Sequence, residues 1–137
     1  MKYWHLQMFL PHGKGGTIID SIEMLKEAHP VIGTCEWPSF QCVNFKGKDG
    51  GLQKGDIVLV RKGKNPLALC EIIGDNFNDD ELELKFKHIN YRKVKVLEFY
   101  TGKHYFGQTQ GTLQVLKNKN TDSWKFIDKW YKKISNN

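Results

Sequence analysis

Apolar and polar positions alternate at the start of the chain, with Trp4, Leu6 and Met8 against Tyr3, His5 and Gln7. This predicts a first strand with one buried face, ended by Pro11 and the glycines of 13–16. The period then changes. Ile18, Ile22, Leu25 and Ala28 recur at helical spacing and predict an amphipathic helix over 17–29, capped by Thr17 and stopped by Pro30. "VIGT" (31–34) reads as a short strand leading into "CEWPSFQCVNFKGK" (35–48). After a glycine-rich loop at 46–55, "DIVLVRKGKNPLALCEIIG" predicts two strands joined by a turn at 63–66. A polar acidic turn follows at 76–80. Leu82, Leu84 and Phe86 alternate with Glu83, Lys85 and Lys87, which predicts another strand, and "RKVKVLEFY" (92–100) predicts the next. "TGKHYFGQTQG" reads as a loop and "TLQVL" as a short turn or helix. From Ser123 a terminal helix places Trp124, Ile127, Trp130, Tyr131 and Ile134 on one side.

The pattern is α+β: about five or six short strands, with helices flanking them, in a small curved sheet or barrel. A length of 137 residues fits one domain spanning 1–137, with a core large enough to need neither disulfides nor metal. The three cysteines, Cys35, Cys42 and Cys70, have no paired or zinc-type spacing and read as reduced. No apolar run is long enough to span a membrane, and the N-terminus lacks the apolar core of a signal peptide, so a cytoplasmic protein is expected.

Charge sharpens the picture. Residues 1–84 hold nine Lys/Arg against twelve Asp/Glu, a net of −3; residues 85–137 hold twelve against three, a net of +9. Such segregation predicts a face for a polyanion. Lysine far outnumbers arginine, which favours phosphate contact over base-edge readout. On the strand predicted at 82–89, Lys85 and Lys87 would form one outward row able to follow a phosphate backbone. A solvated lysine face remains the plain alternative.

No catalytic constellation is present. "GKDGGLQKGD" lacks the GxxxxGK[ST] pattern and leads into a strand, the five histidines have no ligand spacing, and GxSxG is absent. No enzyme activity, cofactor or metal is expected in this chain.

The order of elements resembles the PUA-like superfamily, EVE and YTH domains in particular. The likeness rests on "YWHLQM", the helix, the tryptophan with "FQCVNF", and "LQKGDIVLVRKGKNPLALCEIIG". "GTLQVLKNKNTDSWKFIDKWYKKI" is similar to the end of the N-terminal DNA-recognition domains of McrB-type, modification-dependent restriction proteins. The resemblance implies a PUA-like curved barrel that flips a modified base into an aromatic pocket, serving phage defence from the N-terminal part of a longer protein. In such proteins GTP hydrolysis sits in a separate AAA+ motor, which makes the parent oligomeric and works with a nuclease; the isolated domain would be monomeric. By position the resemblance assigns the pocket to Trp37, Phe40, Gln41 and Asn44, with Trp4 or His5 approaching from the first strand. The opposite wall would come from Phe40, Tyr100, Tyr105 or Phe106. Arg61, Lys62 and Lys64, at a hairpin tip, would join Lys85 and Lys87 on the phosphates. DNA, methylated or not, is the expected partner. A reader of modified RNA and a protein-interaction module are the alternatives. Composition alone leaves Trp37 a core residue; the element order moves it to the pocket rim, with Pro38 fixing the chain direction.

Overall fold

The structure, a computed structural model, describes residues 1–8, 21–34, 40–48, 50–62, 64–86, 88–103 and 113–136, with Thr34, Phe40 and Gln41 described by their backbone alone. Along the chain the elements are β1 (Tyr3–Gln7), α1 (Ile22–Leu25), β2 (Val31–Thr34), α2 (Phe40–Phe45), β3 (Ile57–Lys62) and β4 (Asn65–Phe77). They continue with α3 (Asp80–Phe86), β5 (Asn90–Phe99), β6 (Leu113–Leu116) and α4 (Asp122–Ser135). The strands form one sheet in the order β2-β5-β4-β3-β1-β6. β1 and β3 run parallel, with Trp4 opposite Val58; the other neighbours are antiparallel. The α+β class and the strand number expected from the sequence are both observed.

Apolar packing on both sides of this sheet explains the uninterrupted run Ile57–Val60. Val58 and Val60 join Trp4, Leu6, Ala68, Cys70, Ile72 and Val94 on one face, where Met24 of α1, Phe45 of α2 and Phe86 of α3 cover them. Ile57 and Leu59 join Tyr3 and Leu69 on the other, under Trp124, Ile127, Trp130 and Ile134 of α4. β1 is therefore buried on both faces, not on one: Tyr3 and His5 lie inside as well as Trp4 and Leu6. Strands in the middle of a two-sided sheet lose the alternation that a half-solvated strand keeps.

Among the described residues the sheet curls without closing, and β2 and β6 are its edges. α2 lies against β6, yet its Phe45 carbonyl accepts a 2.7 Å hydrogen bond from Arg92 of β5. Across a flat sheet β5 and β6 would stand about 19 Å apart, four strand spacings, whereas a six-residue helix is about 9 Å long. Curvature brings both within reach of α2. Breaks in register at Val60/Arg61, Leu69/Cys70 and Ile72/Asn76 supply bends of the kind that add local twist.

Two segments differ from their sequence expectation. Residues 80–86 form α3, not a strand. Leu82 and Phe86 are two apart twice over and also four apart, so period two and a helical turn fit the same residues; Leu84, the residue that separates the two readings, is 75% exposed. The acidic turn before it decides the case: Asp79 Oδ1 accepts the Leu82 N–H at 2.9 Å, and Asp80, Glu81 and Glu83 occupy the positive end of the helix. Residues 113–116 form strand β6, not a turn or helix, because pairing with β1 sets Leu113 opposite Leu6 and Val115 opposite Trp4. Of the helix expected over 17–29, α1 supplies 22–25, and 17–20 lie outside the described residues. No helix among the described residues is long and apolar enough to cross a membrane.

Candidate nucleic-acid interface

The expected base pocket falls on the path from β2 to the end of α2. Trp37 and Tyr105 lie outside the described residues. Phe40 and Gln41 begin α2, and Asn44 stands half-buried in its last turn. What holds this short helix is well defined. Its Phe45 is fully buried, and the Asn44 carbonyl accepts the Leu52 N–H at 2.8 Å. Gly51 has to be glycine for the same closeness, since a Cβ there would collide with the Asn44 backbone oxygen, Cα and carbonyl carbon. Arg92, 2% exposed, closes the arrangement by donating to the carbonyls of Gly74, Phe45 and Leu52 at 2.7, 2.7 and 3.0 Å. Burial pulls its pKa below the usual arginine value, and Asp75 and Asp56 oppose that shift.

Trp4 belongs to this framework rather than to a pocket. It is 1% exposed, donates its indole N–H to Asp56 Oδ2 at 3.0 Å and carries the Lys2 ammonium 5.1 Å from its ring centroid. Asp56 also accepts the Lys2 N–H at 2.9 Å and the Gln53 N–H at 3.0 Å, so one carboxylate ties the chain start to the head of β3. This gives the "KGD" of the sequence a structural task. His5 is equally enclosed and shares a 2.8 Å hydrogen bond with Gln114 of β6.

The expected phosphate contacts separate in the same way. Arg61 is fully buried, not exposed at the hairpin tip: the register break beside it changes which way β3 presents its last residues. Burial lowers its pKa. Lys62 is half-buried, and Lys64 is exposed at the tip. Lys85, on helix α3, pairs with Glu27 at 2.7 Å, so no outward strand row exists there; Lys87 lies outside the described residues.

Folding gathers the basic charge of the second half elsewhere, on α4. Thr121 caps this helix by accepting the Trp124 N–H at 3.3 Å, and the Tyr3 hydroxyl docks it onto β1 by donating to Asp128 at 2.7 Å. Lys132, and then Tyr3, hold the Asp128 carboxyl below its usual range. With the apolar stripe turned to the sheet, Lys125, Lys129, Lys132 and Lys133 fall within about 100° of arc on the solvent side. Lys132 pairs with Asp128 at 2.8 Å; among the described residues Lys125, Lys129 and Lys133 have no ion-pair partner. The spacing i, i+4, i+7, i+8 is present in the sequence, where aromatics interleaved with the lysines mask it.

Three clefts are lined by described residues alone. One, of about 280 Å³, sits between α1 and α3 and is lined by Glu27, Asp79 and Glu81 against Lys93 and His29, the wrong balance for a polyanion. The other two flank α4, each of about 360 Å³. Lys2, Lys117, Lys119 and Trp124 border the first of these, with Lys119 5.8 Å from the Trp124 ring. Tyr100, Phe126 and Trp130 line the second, beside Lys129 and Lys133.

No cluster of metal-ligating side chains occurs among the described residues. The buried histidines are structural. Burial lowers the His88 pKa to about 4, and it lowers His5 as well, against the hydrogen bond to Gln114. An imidazole whose folded pKa lies below its unfolded value of 6.5 stays neutral in the native state, so its contribution is complete above pH 6.5 and declines toward pH 4. Between pH 7 and 5 the wild type is expected to lose about 2 kcal/mol more stability than His88→Gln, read from urea unfolding at the two pH values. Equal losses would contradict the assignment.

No protein-family model and no curated protein sequence matches this chain. Among solved structures, human THYN1 protein in complex with 5-methylcytosine-containing DNA aligns with a TM-score of 0.49 and 14% identity, over 72% of this chain and 67% of that one.

Proposed function

We propose that this chain is a PUA-like recognition module that binds DNA and reads a modified base, serving a McrB-type restriction complex. The observation that carries the reading is the charge segregation: a net of +9 in residues 85–137, with four lysines arrayed on the solvent side of α4 and the carboxylates of the α1–α3 cleft set apart from them. Lysines on one face bind phosphate without reading sequence, and so supply affinity and register while a pocket supplies selectivity. That pocket is assigned to Trp37, Phe40, Gln41, Asn44 and Tyr105. Lys62 and Lys64 extend the phosphate surface from the β3–β4 hairpin. Arg92 and Gly51 support the reading by fixing the backbone of α2, on which Gln41 and Asn44 stand. A longer parent would add the GTP-hydrolysing motor and recruit the nuclease.

The test is a binding comparison at low salt between duplexes carrying 5-methylcytosine or N6-methyladenine and the same duplex unmodified, with single-stranded RNA in competition. One modified duplex should bind at least about tenfold more tightly than the unmodified one, the effect of about 1.4 kcal/mol of pocket contacts. Asn44→Ala should reduce that preference. Equal binding of all duplexes would remove the modified-base reading, and preference for RNA over every duplex would move the module to RNA.

A further inference from the structure

We infer that the groove between α4 and the end of β5 holds an unpaired nucleobase, with the phosphates of the same strand resting on Lys125, Lys129 and Lys133. The inference rests on the nucleic-acid reading above and adds to the lysine face of α4 a stacking groove for single-stranded nucleic acid.

Tyr100, Phe126 and Trp130 pack pairwise edge-to-face, with centroids 5.7, 5.5 and 5.8 Å apart. Each remains half-exposed toward a groove of about 360 Å³, the size of small-ligand clefts in general. Two residues of the groove lining hold the rings. Glu98 Oε1 accepts the Trp130 indole N–H at 2.6 Å, which fixes the indole plane and occupies the carboxylate that lines the groove. Gly102 lies directly over the Tyr100 hydroxyl, where a Cβ would collide with it. A rigid aromatic wall loses little entropy on binding and presents π-faces, onto which any base can stack.

The rim selects the ligand. Lys129 and Lys133 border the groove, and Lys125 continues the line along about 12 Å of helix axis. Rings behind lysines disfavour a cation, and an uncharged apolar peptide would leave the lysines without counter-charge. A chain alternating flat apolar groups with phosphates satisfies both halves, as single-stranded nucleic acid does.

The test uses the full chain, an oligothymidine and an abasic strand of the same length, at about 50 mM salt and above. The wild type should bind oligothymidine about tenfold more tightly than the abasic strand. Lys125→Gln/Lys129→Gln/Lys133→Gln should weaken oligothymidine binding at least about tenfold and make the slope of log K against log salt shallower by about two, for three lost contacts at about 0.7 each. Phe126→Leu, which keeps the apolar volume without the ring, should erase the advantage over the abasic strand. Should Phe126→Leu fail to fold, the wild-type comparison with the abasic strand decides the stacking alone. Equal binding of the two strands, or a triple-lysine variant indistinguishable from wild type, overturns the inference. If duplex DNA binds and oligothymidine does not, this inference fails while the recognition reading stands; if neither binds, both fail.

Discussion

Arg92→Met is expected to cost about 3–5 kcal/mol of folding stability, more than any surface substitution, because it leaves two buried carbonyls and a third, partly buried one without a donor. The guanidinium joins Gly74 of β4, Phe45 of α2 and Leu52 of the following loop, at 2.7, 2.7 and 3.0 Å. Methionine fills a similar volume and supplies no N–H. Each carbonyl then loses a charge-assisted bond, worth about 1.5–3 kcal/mol before relaxation, and rearrangement recovers part of the sum. Arg92→Lys should fall between, since one ammonium cannot reproduce the planar fork. Urea unfolding checks this, and a loss under about 1 kcal/mol for Arg92→Met would show that α2 is held by its apolar contacts alone. The consequence for recognition is direct: a loosened α2 no longer fixes the backbone that carries Gln41 and Asn44.

Asp56→Ala is expected to cost about 2–3 kcal/mol, with Asp56→Asn costing about half as much. The carboxylate accepts from the Trp4 indole, the Lys2 N–H and the Gln53 N–H. Alanine strands the buried indole donor, while the two partly buried backbone donors regain water. Asparagine keeps the shape and one acceptor. The same unfolding measurement applies. The NMR resonance of the Trp4 indole N–H adds a local readout, since an indole freed from Asp56 should shift even where global stability is recovered by added salt. An alanine variant as stable as wild type would mean that the chain start is held by strand pairing alone.

These two residues mark what a single sequence does and does not reveal. "YWHLQM", "DIVLVRK", "LALCEIIG" and "RKVKVLEF" were legible as strands because β-branched and aromatic residues run between turn signals, and the terminal helix was legible from its apolar stripe. β1 read as one-sided because Tyr3 and His5 are amphipathic: either fits water, and only the docking of α4 and β6 puts them inside. Residues 82–86 read as a strand because Leu82 and Phe86 satisfy two periods at once. Arg61, Arg92 and Asp56 were invisible as interior residues, since a charged side chain is normally a surface group and its burial depends on carbonyls and donors brought together by the curl of the sheet. Arg61 was accordingly expected on the hairpin tip with Lys62 and Lys64, and Trp4 in the pocket. The lysine line on α4 needed only helical arithmetic; the groove beside it needed β5, because nothing local links Glu98 to Trp130.

The central claim is that the segregated charge serves DNA, and the affinity of the full chain for a short DNA duplex as a function of salt tests it most directly. The account predicts binding at about 50 mM salt, with log K falling linearly against log salt at a slope of about −3 or steeper, as expected for three or more phosphate contacts. Failure to bind any duplex at that salt, or an affinity that does not change with salt, would contradict it.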